Sequence, residues 1–139
     1  ADAGNHTAGR THETYVGYRR GGPVANGDYP RNVAHEFEPV PAAAPGEIAL
    51  SGTWTVTDEY AEAGDDAVLE LAFFAADVHL VLAGEGTVVV TLEGDPGYRR
   101  VVEVDGTSDL YDLVEGEPRT DVLHLEVSEG VQAYAFTFG

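Results

Sequence analysis

The sequence predicts one all-β domain of the β-sandwich class. About eight to ten short apolar segments follow one another from residue 48 to the C-terminus, at intervals of about 8–12 residues, as is typical of a sandwich or barrel. The 17 Gly and 7 Pro residues favour turns over helices. With 139 residues, of which 43% are hydrophobic, the chain is long enough to bury one core.

The N-terminal third is expected to contain little regular structure. Residues 1–12 are small and polar and predict a linker, so that the sandwich domain covers residues 13–139. Three Pro residues between 36 and 46 predict an extended segment without helix, either a strand edge or a polyproline II connection.

Apolar alternation predicts strands over residues 48–57, 68–75, 78–83, 87–93, 99–104, 110–114, 122–127 and 131–138. The glycines at 84–86 and the Asp-Gly pair at 105–106 predict tight connections between successive strands. In the last strand, Tyr134, Phe136 and Phe138 are expected to share one face, with small side chains opposite them.

The charge balance excludes several classes of partner. Asp and Glu total 25, whereas the seven basic residues are all Arg, which gives a formal net charge of −18. A field of that sign repels phosphate backbones and anionic lipids, so we expect no nucleic-acid partner. The apolar stretches are too short to span a bilayer, so no direct membrane insertion is expected. The acidity itself has two interpretations: a solvated surface suited to high salt, or clustered carboxylates that bind cations.

The sequence contains no recognisable catalytic motif. The five His residues are scattered without the spacing of metal ligands, and no G-x-S-x-G nucleophile motif is present. The chain has no Cys, which excludes disulfides and thiol chemistry within it. We therefore expect this chain not to be an enzyme.

Five segments, in order along the chain, resemble one protein family. Residues 13–20 (ETYVGYRR) are similar to the segment that follows the thioredoxin-like domain in DipZ-type thiol–disulfide interchange proteins. The further matches are LSGTWTV at 50–56, DVHLVL at 77–82, LYDLV at 110–114 and AYAFTFG at 133–139.

This resemblance implies a jelly-roll β-sandwich of the galactose-binding-like type, similar to carbohydrate-binding modules and attached behind a thioredoxin-like domain. It also implies an extracytoplasmic location, with the parent protein tethered to the membrane. The redox Cys-x-x-Cys of the family is not in this chain, so no redox residue can be assigned here.

Aromatic and basic residues supply the candidate ligand site. Sugar rings stack on Trp and Tyr side chains, and Arg can clamp an anionic group through two hydrogen bonds. Alternatively, the Trp packs in the core, and the Arg pair bridges to acidic residues or to the neighbouring thioredoxin-like domain. The candidate ligand-binding residues are Trp54, Tyr15, Tyr18, Arg19, Arg20 and Tyr60.

A structural Ca²⁺ is the one cofactor that the sequence suggests. Asp105 and Asp109 could supply the hard oxygen ligands that Ca²⁺ takes. The alternative is that these residues form turns, in which Asp bonds to its own backbone.

The sequence thus predicts a non-catalytic accessory module of a thioredoxin-like redox protein, which binds a carbohydrate or cell-envelope ligand. The alternative hypothesis is a structural or protein-interaction domain that packs on the adjacent thioredoxin-like domain and positions its substrates. In that case residues 13–20 belong to the interdomain contact.

Overall fold

The computed structural model describes residues 11–21 and 24–139, which contain nine antiparallel strands and no helix. Accordingly, the described residues include no helix that could cross a membrane. The all-β sandwich predicted from the sequence is confirmed. The strands are β1 (Thr14–Tyr15), β2 (Ala34–Phe37), β3 (Ile48–Val56), β4 (Ala61–Ala63), β5 (Val68–Ala75), β6 (Val78–Leu92), β7 (Asp95–Val114), β8 (Arg119–Val127) and β9 (Gln132–Phe138).

Two sheets face each other because three strands run from one sheet into the other. In β3, residues 48–51 pair with β5, whereas residues 52–56 pair with β2 and β4. In β6, residues 88–92 pair with β8, whereas residues 78–83 pair with β9. The hairpin partner β7 follows β6 through both sheets. One layer is therefore β3-β5-β8-β6-β7 and the other is β2-β3-β4-β9-β6-β7, in which β1 also pairs with β9.

Glycines bend the long strands where the sequence predicts turns. The predicted strands 78–83 and 87–93 form the single strand β6, and 99–104 and 110–114 form β7, so the two connections predicted between them are wrong. Gly84 and Gly106 lie opposite each other at the bend, with φ angles of 89° and 108°. Because glycine tolerates these positive φ angles, the paired strands β6 and β7 bend from one sheet into the other without ending.

The core fills the space between the two sheets with large apolar side chains. Trp54, Phe73 and Phe136 are fully buried among leucines and valines from both layers. The Trp54 indole Nε1 donates to the backbone oxygens of Ser51 at 2.9 Å and Val68 at 3.2 Å. Its one polar group is thus satisfied inside the protein, which makes Trp54 a core residue.

A bulge in β9 changes the face on which Tyr134 lies. The register with β6 shifts between Val81 and Leu82, which inserts one extra residue into β9. As a result Phe136 and Phe138 point into the core, whereas Tyr134 is half-buried on the outer side. The prediction that Tyr134 shares a face with these two phenylalanines is wrong.

The N-terminal part joins the fold earlier than the sequence predicts. Residues 1–10 of the predicted linker lie outside the described residues. Thr11 is buried: its N–H donates to the Phe74 oxygen at 2.8 Å, and its Oγ1 accepts from the Phe74 N–H at 2.7 Å. Among the described residues, Thr11 therefore already contacts the folded domain, two residues before the predicted start at residue 13.

The Pro-rich segment runs without helix, as predicted, and covers the outside of one sheet. Its first residues belong to β2, which pairs with β3. Further along, Ala42 packs on Ala49 and Ala72, on the outer face of β3 and β5. Small side chains on this face allow the loop to lie close to the strands.

Candidate functional site

The segment that follows β1 is fixed to the turn between β3 and β4. Strand β1 pairs with β9, and the Arg19 N–H then donates to the Asp58 oxygen at 2.9 Å. At Gly17 a Cβ atom would lie 2.3 Å from the backbone carbon of Glu59, so only glycine fits this approach. The close approach holds both arginines of the segment beside the acidic turn.

A cleft of about 320 Å³ opens between this segment, the β3–β4 turn and the bulged part of β9. We call it the β1–β9 cleft. It is open to solvent. The residues that line it are Tyr15, Arg19, Arg20, Asp58, Glu59, Tyr134 and Ala135.

Arg19 is neutralised within the cleft. Its guanidinium group lies 2.5 Å from a carboxylate oxygen of Asp58 and 3.5 Å from one of Glu59. All three side chains are about half exposed, so solvent screens these pairs and they add little to stability. They do fix the position of the Arg19 side chain and leave carboxylate oxygens at the rim of the cleft.

Arg20 is positioned by an aromatic ring instead of by a carboxylate. Its Nη1 donates to the Tyr15 hydroxyl at 3.2 Å, and its Cζ lies 5.2 Å from the centre of the Tyr15 ring. The Tyr15 hydroxyl in turn donates to Glu13 at 2.7 Å. Among residues 11–21 and 24–139, no carboxylate lies within 4 Å of Arg20. Its positive charge is therefore available to a ligand.

Tyr134 adds a second aromatic ring, backed by Tyr60. The two ring centres are 5.2 Å apart at an angle of 45°. Burial raises the pKa of Tyr134, and the neighbouring Tyr60, Glu59 and Glu62 raise it further. Its hydroxyl therefore stays protonated at neutral pH and donates to Gln132 at 3.1 Å. Sequence reasoning missed Tyr134, because only the bulge takes it out of the core.

The structure thus brings three of the predicted site residues together, namely Tyr15, Arg19 and Arg20. Tyr60 supports the cleft from behind Tyr134 without lining it.

Two other predicted residues lie elsewhere. Tyr18 lines a separate cavity of about 410 Å³, in which the Arg31 guanidinium carbon lies 4.3 Å from the centre of its ring. Trp54 has no exposed surface at all. The assignment of Trp54 to a ligand site is wrong, because a sugar cannot stack on a ring that is enclosed by the core.

The predicted calcium ligands do not converge. Asp105 accepts a hydrogen bond from the Tyr111 hydroxyl at 3.3 Å, and Asp109 accepts one from the Leu110 N–H at 2.8 Å. Within the described part of the chain, no three His, Cys, Asp or Glu side chains group closely enough to hold a metal ion. The reason is that residues 105–109 continue a strand, which spreads the carboxylates along the sheet edge.

Two His–carboxylate pairs, which the sequence did not indicate, lie across neighbouring strands. His79 Nδ1 is 2.7 Å from Asp112, and His124 Nδ1 is 3.1 Å from Glu70. In the ranges that the structure describes, neither imidazole shares a hydrogen bond with a hydroxyl side chain. These pairs therefore resemble surface cross-strand pairs and not a nucleophile with its base.

Comparison with known protein families now places the chain. The model of the family described as "Thioredoxin like C-terminal domain" matches residues 11–139, which is nearly the whole chain. This chain belongs to that family. The match begins at Thr11, which bonds to the backbone of Phe74.

Two curated relatives of this thioredoxin-like C-terminal domain are Protein DipZ of Mycobacterium bovis and Protein DipZ of Mycobacterium tuberculosis. Each is 32% identical over 138 residues, which cover 95% of this chain and 19% of the relative. The chain thus spans about a fifth of the length of these proteins, and the resemblance stated from the sequence is confirmed.

Among solved structures, the domain is similar to a family two carbohydrate esterase from Cellvibrio japonicus. The TM-score is 0.57 at 13% identity, with 76% of this chain and 33% of that chain covered. At this identity the likeness supports the β-sandwich fold alone.

The chain itself has no cysteine, so it cannot carry out thiol–disulfide exchange by itself.

Proposed function

We propose that this domain is a non-catalytic accessory module of a larger redox protein, and that it binds a carbohydrate or cell-envelope ligand in the β1–β9 cleft. The observation that carries the proposal is the pairing of aromatic rings, Tyr15 and Tyr134, with the Arg20 guanidinium group in one open cleft. The family description and the greater length of the relatives support a parent protein with a thioredoxin-like part.

The chemistry of the cleft suits a sugar. Sugar rings have apolar faces that pack on aromatic rings, and hydroxyl groups that need both donors and acceptors. Tyr15 and Tyr134 supply the rings, Arg20 supplies donors, and Asp58 and Glu59 supply acceptors. A sugar that bears a carboxylate gains an additional pair with Arg20, while the acidic surface elsewhere repels it.

The position of the parent protein completes the proposal. The DipZ-type resemblance implies a domain outside the cytoplasm, carried behind the thioredoxin-like domain of a membrane-tethered protein. A sugar-binding module there would keep the redox domain close to envelope polymers. Tethering raises the effective concentration of the redox domain near the proteins that lie among these polymers.

The experiment is a glycan-array screen that includes cell-wall glycans, followed by calorimetry of each binder. We expect Arg20→Ala to weaken the binding by at least about tenfold, which is the loss of one charge-assisted contact of about 1.4 kcal/mol or more. Arg31→Ala is the matched control, because Arg31 also covers a tyrosine ring but lies in the other cavity. Equal losses in both variants, or no glycan bound at all, would contradict the proposal.

A second function is favoured by the same segment. Three of the seven residues that line the β1–β9 cleft belong to residues 13–20, which the DipZ-type resemblance places directly after the thioredoxin-like domain. In this case Arg19 and Arg20 contact that domain and help to position its substrates. NMR titration of the labelled domain with a separate thioredoxin-like domain tests this: shifts confined to residues 13–20 and 58–59, without any glycan binding, support the interaction function.

A further inference from the structure

Strand β7 forms an open edge of the sandwich. It pairs with β6 along both sheets, and in the part of the chain that the structure describes no strand pairs with its other side. Of the three exposed large hydrophobic side chains found in this part, two lie on β7: Val101, which is 45% exposed, and Leu110, which is 50% exposed. Unpaired edge strands are templates for pairing with another strand.

The hydrogen bonds of β6 establish which backbone groups of β7 are free. The Ser128 N–H donates to the Thr87 oxygen at 3.0 Å, and the Glu93 N–H donates to the Val122 oxygen at 2.9 Å. Both contacts are made toward β8. Because backbone groups alternate in direction along an antiparallel strand, the odd-numbered residues between 87 and 93 face β8 and the even-numbered residues between them face β7.

The register between β6 and β7 determines which backbone groups of β7 point toward β6. Val88 lies opposite Val102, so the backbone of Val102 points toward β6. The N–H and C=O groups of Arg99, Val101 and Glu103 therefore point away from β6, toward the open edge. The side chains of the same three residues are exposed on the outer face of the sheet.

This edge is complementary to itself. When a second copy of β7 runs antiparallel to the first and is centred on Val101, each Val101 lies opposite the other Val101. Arg99 of each copy then lies opposite Glu103 of the other. Among the described residues Arg99 has no carboxylate within 4 Å, and Glu103 has one weak contact, from the Thr87 hydroxyl at 3.4 Å. Both charges are thus available to a second chain.

We propose that two copies of this chain associate through β7, in an antiparallel two-fold pairing centred on Val101. The occupant of the edge is a second copy because Arg99 and Glu103 lie at equal distances on either side of Val101. When the strand is reversed, each charge therefore meets the opposite charge, as a two-fold interface requires. Three residue pairs in phase, each exchanging two backbone bonds, give about six hydrogen bonds. Two Arg–Glu pairs and one Val–Val contact lie on the outer face above them.

The association is weak and depends on salt. A single pair of strands buries less surface than a stable dimer interface, so the dissociation constant lies in the range of about 10 μM to 1 mM. Two chains of net charge −18 repel each other at long range, and physiological salt screens this repulsion over about 8 Å. Arg99, which has no carboxylate within 4 Å among the described residues, reduces the repulsion at the edge itself.

Sedimentation velocity at about 0.15 M salt, with protein from about 10 μM to 1 mM, tests the association. We expect the weight-average mass to rise with concentration from 14.7 kDa toward twice that value. A mass that stays at one chain over the whole range overturns the proposal.

Charge reversal tests the register. Arg99→Glu places like charges opposite each other twice and is expected to weaken the association by about 10- to 30-fold, whereas the swap Arg99→Glu with Glu103→Arg restores it. Association that survives in Arg99→Glu, or that the swap fails to regain, overturns the pairing centred on Val101. Circular dichroism of each variant verifies that the monomer is folded.

A matched pair of valines separates pairing at the edge from a general charge effect. Val101→Glu puts two carboxylates at the two-fold axis and is expected to abolish the association. Val33→Glu adds the same charge at a site that is 52% exposed and lies away from β7, and it is expected to leave the association unchanged. Equal effects of the two substitutions overturn the proposal.

Discussion

Replacing Trp54 by Phe tests whether this side chain serves the core or a ligand. Trp54 is fully enclosed, and its Nε1 is shared between two backbone oxygens at 2.9 and 3.2 Å. Loss of that hydrogen bond costs about 1 kcal/mol. The part of the indole that Phe does not replace corresponds to about two buried methylene groups, or about 1.6 kcal/mol. We therefore expect the free energy of unfolding to fall by about 2–3 kcal/mol, and by more where a cavity remains.

Urea unfolding followed by far-ultraviolet circular dichroism measures this change, because the variant lacks the only tryptophan of the chain. With a slope of about 2 kcal/mol per molar urea, the midpoint falls by about 1–1.5 M. Tyr15→Phe is a suitable control, since the Tyr15 hydroxyl contacts only exposed groups. Its expected change is below about 0.5 kcal/mol.

Ligand binding supplies the second readout. Any glycan found for the β1–β9 cleft should bind Trp54→Phe with unchanged affinity at a temperature at which the variant is folded. A loss of stability below about 1 kcal/mol, or a loss of binding with stability intact, would refute the placement of Trp54 in the core.

Three further changes have defined outcomes. Gly52→Ala should destabilise the fold by at least about 3 kcal/mol in urea unfolding, since Gly52 has a φ of 74° and its new Cβ would meet the Asp66 oxygen. Thr11→Ala should cost about 1–2 kcal/mol, because the Phe74 N–H loses its acceptor in a part-buried hydrogen bond; no change would place the start of the folded domain after Thr11. Burial raises the pKa of the Tyr134 hydroxyl above 10.0, so the unfolded chain loses this hydroxyl proton at a lower pH than the folded chain does. The free energy of unfolding should therefore fall as pH rises through about 10, and it should fall less in Tyr134→Phe. The chain has no lysine to obscure this alkaline transition, and an equal fall in both proteins would contradict it.

The candidate site could be predicted in part, because its core is one continuous segment. Residues 15–20 combine two tyrosines and two arginines in an otherwise acidic chain, a local feature that any folded state preserves. Tyr134 could not be found in this way, since alternation assigns it to the core and only the shifted register of β9 moves it outside. Asp58 and Glu59 joined the site because the segment after β1 packs on their turn, a contact across 39 residues of chain.

What the sequence alone determined was the kind of structure: an all-β sandwich, with no helix among the described residues, and the family to which the domain belongs. Those properties follow from alternation and turn residues, which act over a few neighbouring positions. Only the tertiary structure decided that Gly84 and Gly106 bend strands instead of ending them, that Trp54 is enclosed, and that β7 has an open edge. The physical reason is that a glycine permits a turn and a bend equally, and an aromatic ring suits a core and a surface equally. Pairing partners distant in sequence select between them.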